Sequence, residues 1–424
     1  MKRRKIHKSQ ASETVDYYLH TFPNGIRLVH KQVEGTQIAH CGFVLDIGSR
    51  DEKADQQGMA HFWEHMAFKG TEKRKAFHIL NRLDSVGGEL NAYTTKEKIC
   101  FYASVLDLHF DKAVELLTDI TFHSTFPEKE IQKEKGVILE EMSMYKDDPA
   151  DAIADEFDEV IFGDHQLGRN ILGTRESVSG FQQADFLRFI RENLSTERLV
   201  FTSVSALPMK EVIKKVGKYL SALPVIASER VRLPFEIYQP KQEKILKPIS
   251  QGHCVIGTTA YSIYDEKRLP FFFLTNVLGG PGMNSRLNLG IREKYGFVYD
   301  INASYNTFSD CGLFSIYFGS EKNTLNRCIG LVGKEMKRLR ERKLGVMQLH
   351  QAKQQLMGQL AIAEESNINM MLVIGKSILD LEKVESIQSI FQKIEAITAE
   401  LLLDIANEIF AEEKLSMLQY LPEE

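Results

Sequence analysis

Short apolar or alternating runs at residues 17–19, 26–30 and 38–45 predict that the chain opens with a sheet, and Pro23-Asn24-Gly25 predicts a turn between the first two. Residues 46–57 are polar and irregular. A helix follows from Gly58 and is ended by Lys69-Gly70-Thr71, after which residues 75–86 repeat with a helical period that places Ile79, Leu80 and Leu83 on an apolar side. Gly87-Gly88 then leads through residues 89–94 to a β-rich run at 99–105. Paired glycines before a strand permit close backbone approach, either for packing or for a ligand. Residues 111–122 predict a helix, and Pro127 opens another whose apolar stripe is Ile131, Ile138, Met142 and Tyr145. A helix at 184–193 and a strand at 199–205 close the first half.

Between residues 223 and 248 the pattern changes. Pro224, Pro234, Pro240 and Pro248 interrupt a Lys-rich stretch that cannot form one long helix, which predicts a linker. Beyond it the pattern begins again, roughly half a chain length on. Gly252-His253-Cys254 heads a strand as Ala39-His40-Cys41 does, and residues 402–410 lead into 415–417 much as 186–194 lead into 199–201. The expected organisation is an α+β fold of two similar, duplicated domains at 1–222 and 249–424, each a sheet flanked by helices, with 223–248 between them.

Composition narrows the class. A chain of 424 residues with 43% hydrophobic and 26% charged residues has ample core for more than one domain. Its formal charge of -5 and the lack of a basic stripe argue against nucleic acid as a partner. Lys2-Arg3-Arg4-Lys5 reads as a solvated tail, because the apolar core of a signal peptide does not follow it. No apolar window is long enough to span a membrane. Cys41, Cys100, Cys254, Cys311 and Cys328 are odd in number and include no Cys-x-x-Cys pair, so neither a disulfide framework nor a thiolate metal site is indicated. They are expected as single buried thiols in apolar strands, and the chain as cytoplasmic.

The helix after Gly58 carries the candidate chemistry. In His61-Phe62-Trp63-Glu64-His65, the two histidines and the glutamate project within an arc of about 100°, while Phe62 and Trp63 point elsewhere and can pack. Two imidazoles one turn apart can share a metal ion, and the carboxylate beside them can act as a general base. The same residues could simply decorate an amphipathic helix. A catalytic zinc site needs a third protein ligand, and the helix opened by Pro127 supplies candidates in Glu134, Glu140 and Glu141. Glu134 and Glu141 are two turns apart and share a face, whereas Glu140 points about 100° away, so Glu141 is preferred.

Taken in order, His61-x-x-Glu64-His65, Glu141, Gly168-Arg169-x-Ile171-Leu172-Gly173, Ser285-Arg286-Leu287 and Ile291-Arg292-Glu293-Lys294 with Tyr299 resemble the pitrilysin/insulinase metallopeptidases. Within that family the likeness is to short two-domain members related to the mitochondrial processing peptidase, and it covers nearly the whole chain. It implies two domains forming half of a clamshell and one Zn²⁺ per chain held by His61, His65 and Glu141. It further implies Glu64 as catalytic base, Glu134 as a supporting glutamate near the metal, and Arg292 and Tyr299 as the pair that engages substrate. Asn91-Ala92-Tyr93 resembles the family's edge strand, onto which an extended peptide adds. The implied activity is zinc-dependent endopeptidase cleavage of short or unfolded peptides inside a dimer chamber. Because both the metal motif and the Arg/Tyr pair are kept, a homodimer is expected. The alternatives are the metal-bearing half of a heterodimer and a non-catalytic, peptide-holding subunit.

Overall fold

In the computed structural model residues 17–423 are described, and the basic run Lys2-Arg3-Arg4-Lys5 lies outside them. Eleven strands among these residues form two sheets. The first contains β1 (Tyr17–Thr21), β2 (Arg27–Gln32), β3 (Ile38–Leu45), β4 (Glu89–Thr94), β5 (Ile99–Leu106) and β6 (Leu199–Ser205), in the order β1-β2-β6-β3-β5-β4. The second contains β7 (Gln242–Lys247), β8 (Gly252–Ala260), β9 (Val298–Thr307), β10 (Gly312–Ser320) and β11 (Ser416–Pro422), in the order β7-β11-β8-β10-β9. In each sheet one pair is parallel, β2 with β6 and β7 with β11, and the other pairs are antiparallel. Apart from the added β1, the two orders superimpose strand for strand. The expected α+β duplication is therefore present as a repeated topology.

Two compact units surround these sheets, and they are not contiguous in sequence. One comprises residues up to Glu141 with Arg169–Arg232 and Ile362–Ile387; the other comprises Met142–Gly168, Leu233–Ala361 and residues from Gln388. The division differs from boundaries at 1–222 and 249–424, because each unit takes a helix from the other half of the sequence. In the first unit, Asn367–Leu381 lays Met370, Met371, Ile374 and Ile378 on Val29, Val200 and Val204 of the sheet. A Cβ at Gly375 would stand 2.8 Å from Val44 and 2.9 Å from Thr202, so this glycine allows the helix to lie close against the sheet. In the second unit, Pro149–Phe162 places Ile153, Phe157, Val160 and Ile161 against Val255, Leu313 and Leu418.

The division between the units falls within the stretch 223–248, between Arg232 and Leu233, and its first part is pinned. Arg230 pairs with Asp46 at 2.6 Å and Asp51 at 3.0 Å, and Arg232 pairs with Asp51 at 2.8 Å and Asp46 at 2.9 Å, fastening the chain to the first unit. The prolines do prevent a helix, and residues 242–247 instead form β7.

Four helices of the first half are α1 (Met59–Met66), α2 (Ala76–Asp84), α3 (Phe110–Phe122) and α4 (Glu128–Asp147). On α2, Ile79 and Leu83 are buried as expected, but Leu80 is 50% exposed, because the helix turns only the 79/83 arc inward. On α4, Ile131, Ile138 and Met142 are buried, while Tyr145 lies at the exposed margin. All five cysteines are free and buried. Cys41, Cys100 and Cys254 lie in strands, whereas Cys311 precedes β10 and Cys328 lies in the helix Leu325–Glu341. Among the described residues no helix is long and apolar enough to cross a membrane.

Candidate metal centre

The backbone before α1 explains how so short a helix is held. Gly58 has φ 90°, and a Cβ there would come within 2.5 Å of the Leu172 carbonyl oxygen. Only glycine meets both requirements. Since a glycine N-cap has no side chain to accept from the first amides, a buried carboxylate substitutes for it: Glu52 accepts from Gly58 N at 2.9 Å and Ala60 N at 2.8 Å. Arg169 donates to the Glu52 carbonyl oxygen at 2.7 Å. The Gly168–Gly173 motif thus serves to seat α1. Burial pushes the Glu52 carboxyl up to about 8, against the pull of the two amide hydrogen bonds and of Arg169 and Lys96.

Phe62 and Trp63 are fully buried, with Phe62 against Phe186 and Trp63 against Phe101 at ring separations of 5.0 and 6.0 Å. Their packing fixes the rotation of α1 and turns His61, Glu64 and His65 toward α4. There His61 Nε2 lies 3.6 Å from Glu141 Oε1, and His65 Nε2 lies 3.5 Å from Glu141 Oε2. One ligand atom from each of the three residues falls within 4.8 Å of the others, and no second such group occurs among the described residues. Glu140, the neighbour set aside on helical geometry, points to solvent.

These separations fit a metal ion. They are longer than a hydrogen bond, yet a tetrahedral ion with ligand arms of ~2.0–2.1 Å needs donors roughly 3.4 Å apart. The donor set is two imidazoles and a carboxylate, a combination suited to zinc. Burial, and secondarily the adjacent His65, hold His61 down to about 3, so its ring is neutral and able to ligate at ordinary pH.

Outer groups aim the donors. His65 Nδ1 pairs with Glu134 Oε1 at 3.0 Å, and Lys69 Nζ meets Glu134 Oε2 at 2.6 Å. With Nδ1 so engaged, His65 presents Nε2 to the site. Burial alone would raise the Glu134 carboxyl, but the hydrogen bonds from His65 and Lys69 outweigh it and leave that group below its ordinary value. His61 is treated differently, its Nδ1 being buried without a partner. Burial raises Glu64 and Glu141 above the usual carboxylate range; a hydrogen bond from Thr94 and the nearby His65 only partly offset this at Glu64. A raised carboxylate is a stronger base, as proton abstraction requires.

The strand carrying Asn91-Ala92-Tyr93 is an open edge, since among the described residues β4 pairs with β5 alone. Thr95 N donates to Lys98 O at 2.7 Å across the turn, which sets the phase of the ladder. Counting back in pairs, Tyr93 and Asn91 direct their main-chain groups inward to β5, while Ala92 and Thr94 direct theirs outward. Of the three expected residues Ala92 faces the free edge, and Thr94 joins it. Thr94 also donates its hydroxyl to Glu64 Oε2 at 2.6 Å. Glu52, Lys69 and Thr94 were not singled out in the sequence; for Thr94 a signal existed, because a strand's period of two puts it on the same face as Ala92.

Arg292 and Tyr299 belong to the second unit, where they are brought together: the guanidinium lies 5.7 Å from the Tyr299 ring. Arg292 sits in a π-helical turn, Asn288–Glu293, and Tyr299, at the start of β9, is 87% exposed. π-Turns are frequent at functional sites.

Residues 27–175 match the family described as Insulinase (Peptidase family M16), and residues 180–356 match the Peptidase M16 inactive domain. A zinc protease of Bacillus subtilis named YmxG, itself called uncharacterized, is 32% identical over 397 residues, spanning 93% of this chain and 96% of the relative. The chain belongs to the M16 peptidase family. A second relative, an uncharacterized zinc protease of Streptomyces coelicolor, is 32% identical over 401 residues, spanning 92% of this chain and 86% of the relative. Two solved structures share the M16 fold. One, described as a peptidase M16 inactive domain from Pseudomonas fluorescens, has a TM-score of 0.89 at 16% identity over 96% of this chain and 99% of its own. The other, described as a protease from Helicobacter pylori, has a TM-score of 0.87 at 17% identity over 96% of this chain and all of its own. The His61/His65/Glu141 cluster falls within the first M16 match, and Arg292 and Tyr299 within the second.

Proposed function

We propose that this chain is a zinc-dependent endopeptidase that hydrolyses short or unfolded peptides held in extended form. The convergence of donor atoms from His61, His65 and Glu141 within 4.8 Å carries the reading. The zinc in the relatives' names supports it. These three residues would hold one ion per chain, and when bound that ion supplies Lewis acidity toward water and toward a peptide carbonyl.

Glu64 takes the proton of the attacking water on its carboxylate and passes it to the leaving nitrogen as the C–N bond breaks. Glu134, braced by Lys69, keeps His65 in its ligating orientation. In the proposed homodimer Arg292 and Tyr299 of one subunit would donate hydrogen bonds to the carbonyl of a peptide held by the other, a kind of stabilisation worth a few kcal/mol. Ala92 and Thr94 offer outward main-chain groups to which a peptide strand can pair. Such pairing reads backbone rather than side chains, and so favours unfolded over folded substrates. The reading extends to a homodimer that encloses its substrate in a chamber, supported by the retention of both the metal motif and the Arg/Tyr pair, and to action in the cytoplasm.

Glu64→Gln tests it. The zinc-loaded variant should keep stoichiometric metal and lose peptide cleavage by about a hundredfold or more. Undiminished turnover would refute the assignment, and zinc-loaded wild-type protein that cleaves no member of a quenched peptide library would point to a non-catalytic subunit.

A further inference from the structure

Thr94 occupies two roles at one position. Its main chain stands at the open edge of β4, and its side chain reaches Glu64 Oε2 at 2.6 Å, a length typical of an O–H···O⁻ bond. Both ends of that bond are anchored. Thr94 pairs with the fully buried Ile99 and immediately precedes a turn closed by Thr95 N to Lys98 O at 2.7 Å and Lys98 N to Thr95 Oγ1 at 2.9 Å. Glu64 rides on α1, locked by the buried Phe62 and Trp63.

A glutamate has three rotatable bonds, and nothing in α1 itself selects one orientation of its carboxylate. The Thr94 hydroxyl does so. It occupies Oε2 and leaves Oε1 as the oxygen free to receive a proton.

We propose that Thr94 is a positioning residue that fixes the orientation of the Glu64 carboxylate and ties it to the strand on which a peptide would dock. The proposal rests on the peptidase reading above and deepens it. A peptide hydrogen-bonded to the Thr94 main chain is then registered, through a single residue, against the group that deprotonates the attacking water. Small losses of such alignment cost up to about a hundredfold in rate.

The test compares Thr94→Ser, Thr94→Ala and Thr94→Val in the full chain. Serine keeps the hydroxyl and loses the methyl; alanine loses both; valine keeps the shape without the donor. With zinc loaded, Thr94→Ser should cleave a quenched peptide near the wild-type rate. Thr94→Ala and Thr94→Val should lose about tenfold to a hundredfold in kcat, with KM and zinc content unchanged. A purely structural role would instead move all three variants by stability, or shift KM and metal retention. Alanine at wild-type kcat, or serine falling as far as alanine, would overturn the proposal. If Thr94→Val does not fold, the serine/alanine pair still decides.

Crystal structures of the metal-free serine and alanine variants give a readout independent of turnover. Glu64 should hold its orientation in the first and leave it in the second, and an unmoved Glu64 in Thr94→Ala would refute the proposal. This second readout also applies if the wild-type protein cleaves nothing, a result that would sink the peptidase reading instead.

Discussion

Glu52 shows how much of this site is decided by one side chain away from the metal cluster. Its carboxyl is fully buried beneath the start of α1, and burial raises it from an ordinary value of 4.5 to about 8. Between those values the folded protein holds a proton that the unfolded chain has released, so each rise in pH favours unfolding. The contribution is complete below pH 4.5 and is lost as pH rises toward 8. Stability of the metal-free protein, measured by urea midpoint with chelator present, should therefore fall more steeply between pH 5 and 8 in wild type than in Glu52→Gln, which cannot ionise. Parallel slopes would count against this account. Sequence shows His61 and His65, and Glu134 with Glu141, because their spacings are intrinsic to helices, four residues on α1 and two turns on α4. Glu52, Lys69 and Thr94 are polar residues in or beside loops, where many partners are conceivable. Only tertiary placement brings Lys69 to Glu134 and Thr94 to Glu64.

Among elements, α1 is the most dependent on its surroundings. Eight residues are too few for a helix to persist alone, so α1 exists because Phe62 and Trp63 are buried and because Gly58 admits the chain in a left-handed conformation beside Leu172. Gly58→Ala meets both the conformational penalty and a Cβ contact at 2.5 Å from backbone. It should destabilise the protein by about 2 kcal/mol or more and, on the proposed zinc reading, speed zinc release to a chelator, because a displaced α1 carries His61 and His65 with it. Gly180→Ala, where an added Cβ meets nothing within 4 Å, should change neither property and serves as the control. Strands β1, β2, β3, β5 and β6 are legible from their apolar or alternating runs, whereas β7 and β10 are not, and the glycine-bounded motif at 168–173 is legible from its composition but not its purpose of seating α1. The ion pairs of Arg230 and Arg232 are not legible in the stretch expected as a linker, since proline density reports what a segment cannot form and says nothing of the carboxylates that its arginines meet.

At the scale of the whole molecule, the duplication visible in the sequence does not make the halves independent. Alternation in β2 and β6 shows that their faces are buried but cannot say which distant segment buries them. For Val29, Val200 and Val204 it is Met370, Met371, Ile374 and Ile378, anchored by Thr202 Oγ1 donating to the Met371 carbonyl at 2.7 Å. Each large apolar side chain buried contributes roughly 1.5–3 kcal/mol, and a domain's entire stability is about 5–15 kcal/mol. A fragment of residues 1–222 lacks that covering helix and also carries Pro149–Phe162 without the sheet it packs on. Expressed alone it should be aggregated or bind a hydrophobic dye without a cooperative melt. Co-expressed with residues 223–424, it should co-purify as a soluble pair that binds zinc, because the exchanged helices restore both cores and, with them, the platform beneath α1. A lone fragment that remained monomeric and melted cooperatively would mean that the sheet tolerates exposure of that face, and that the exchange of helices is not what binds the two halves of the sequence into one folding unit.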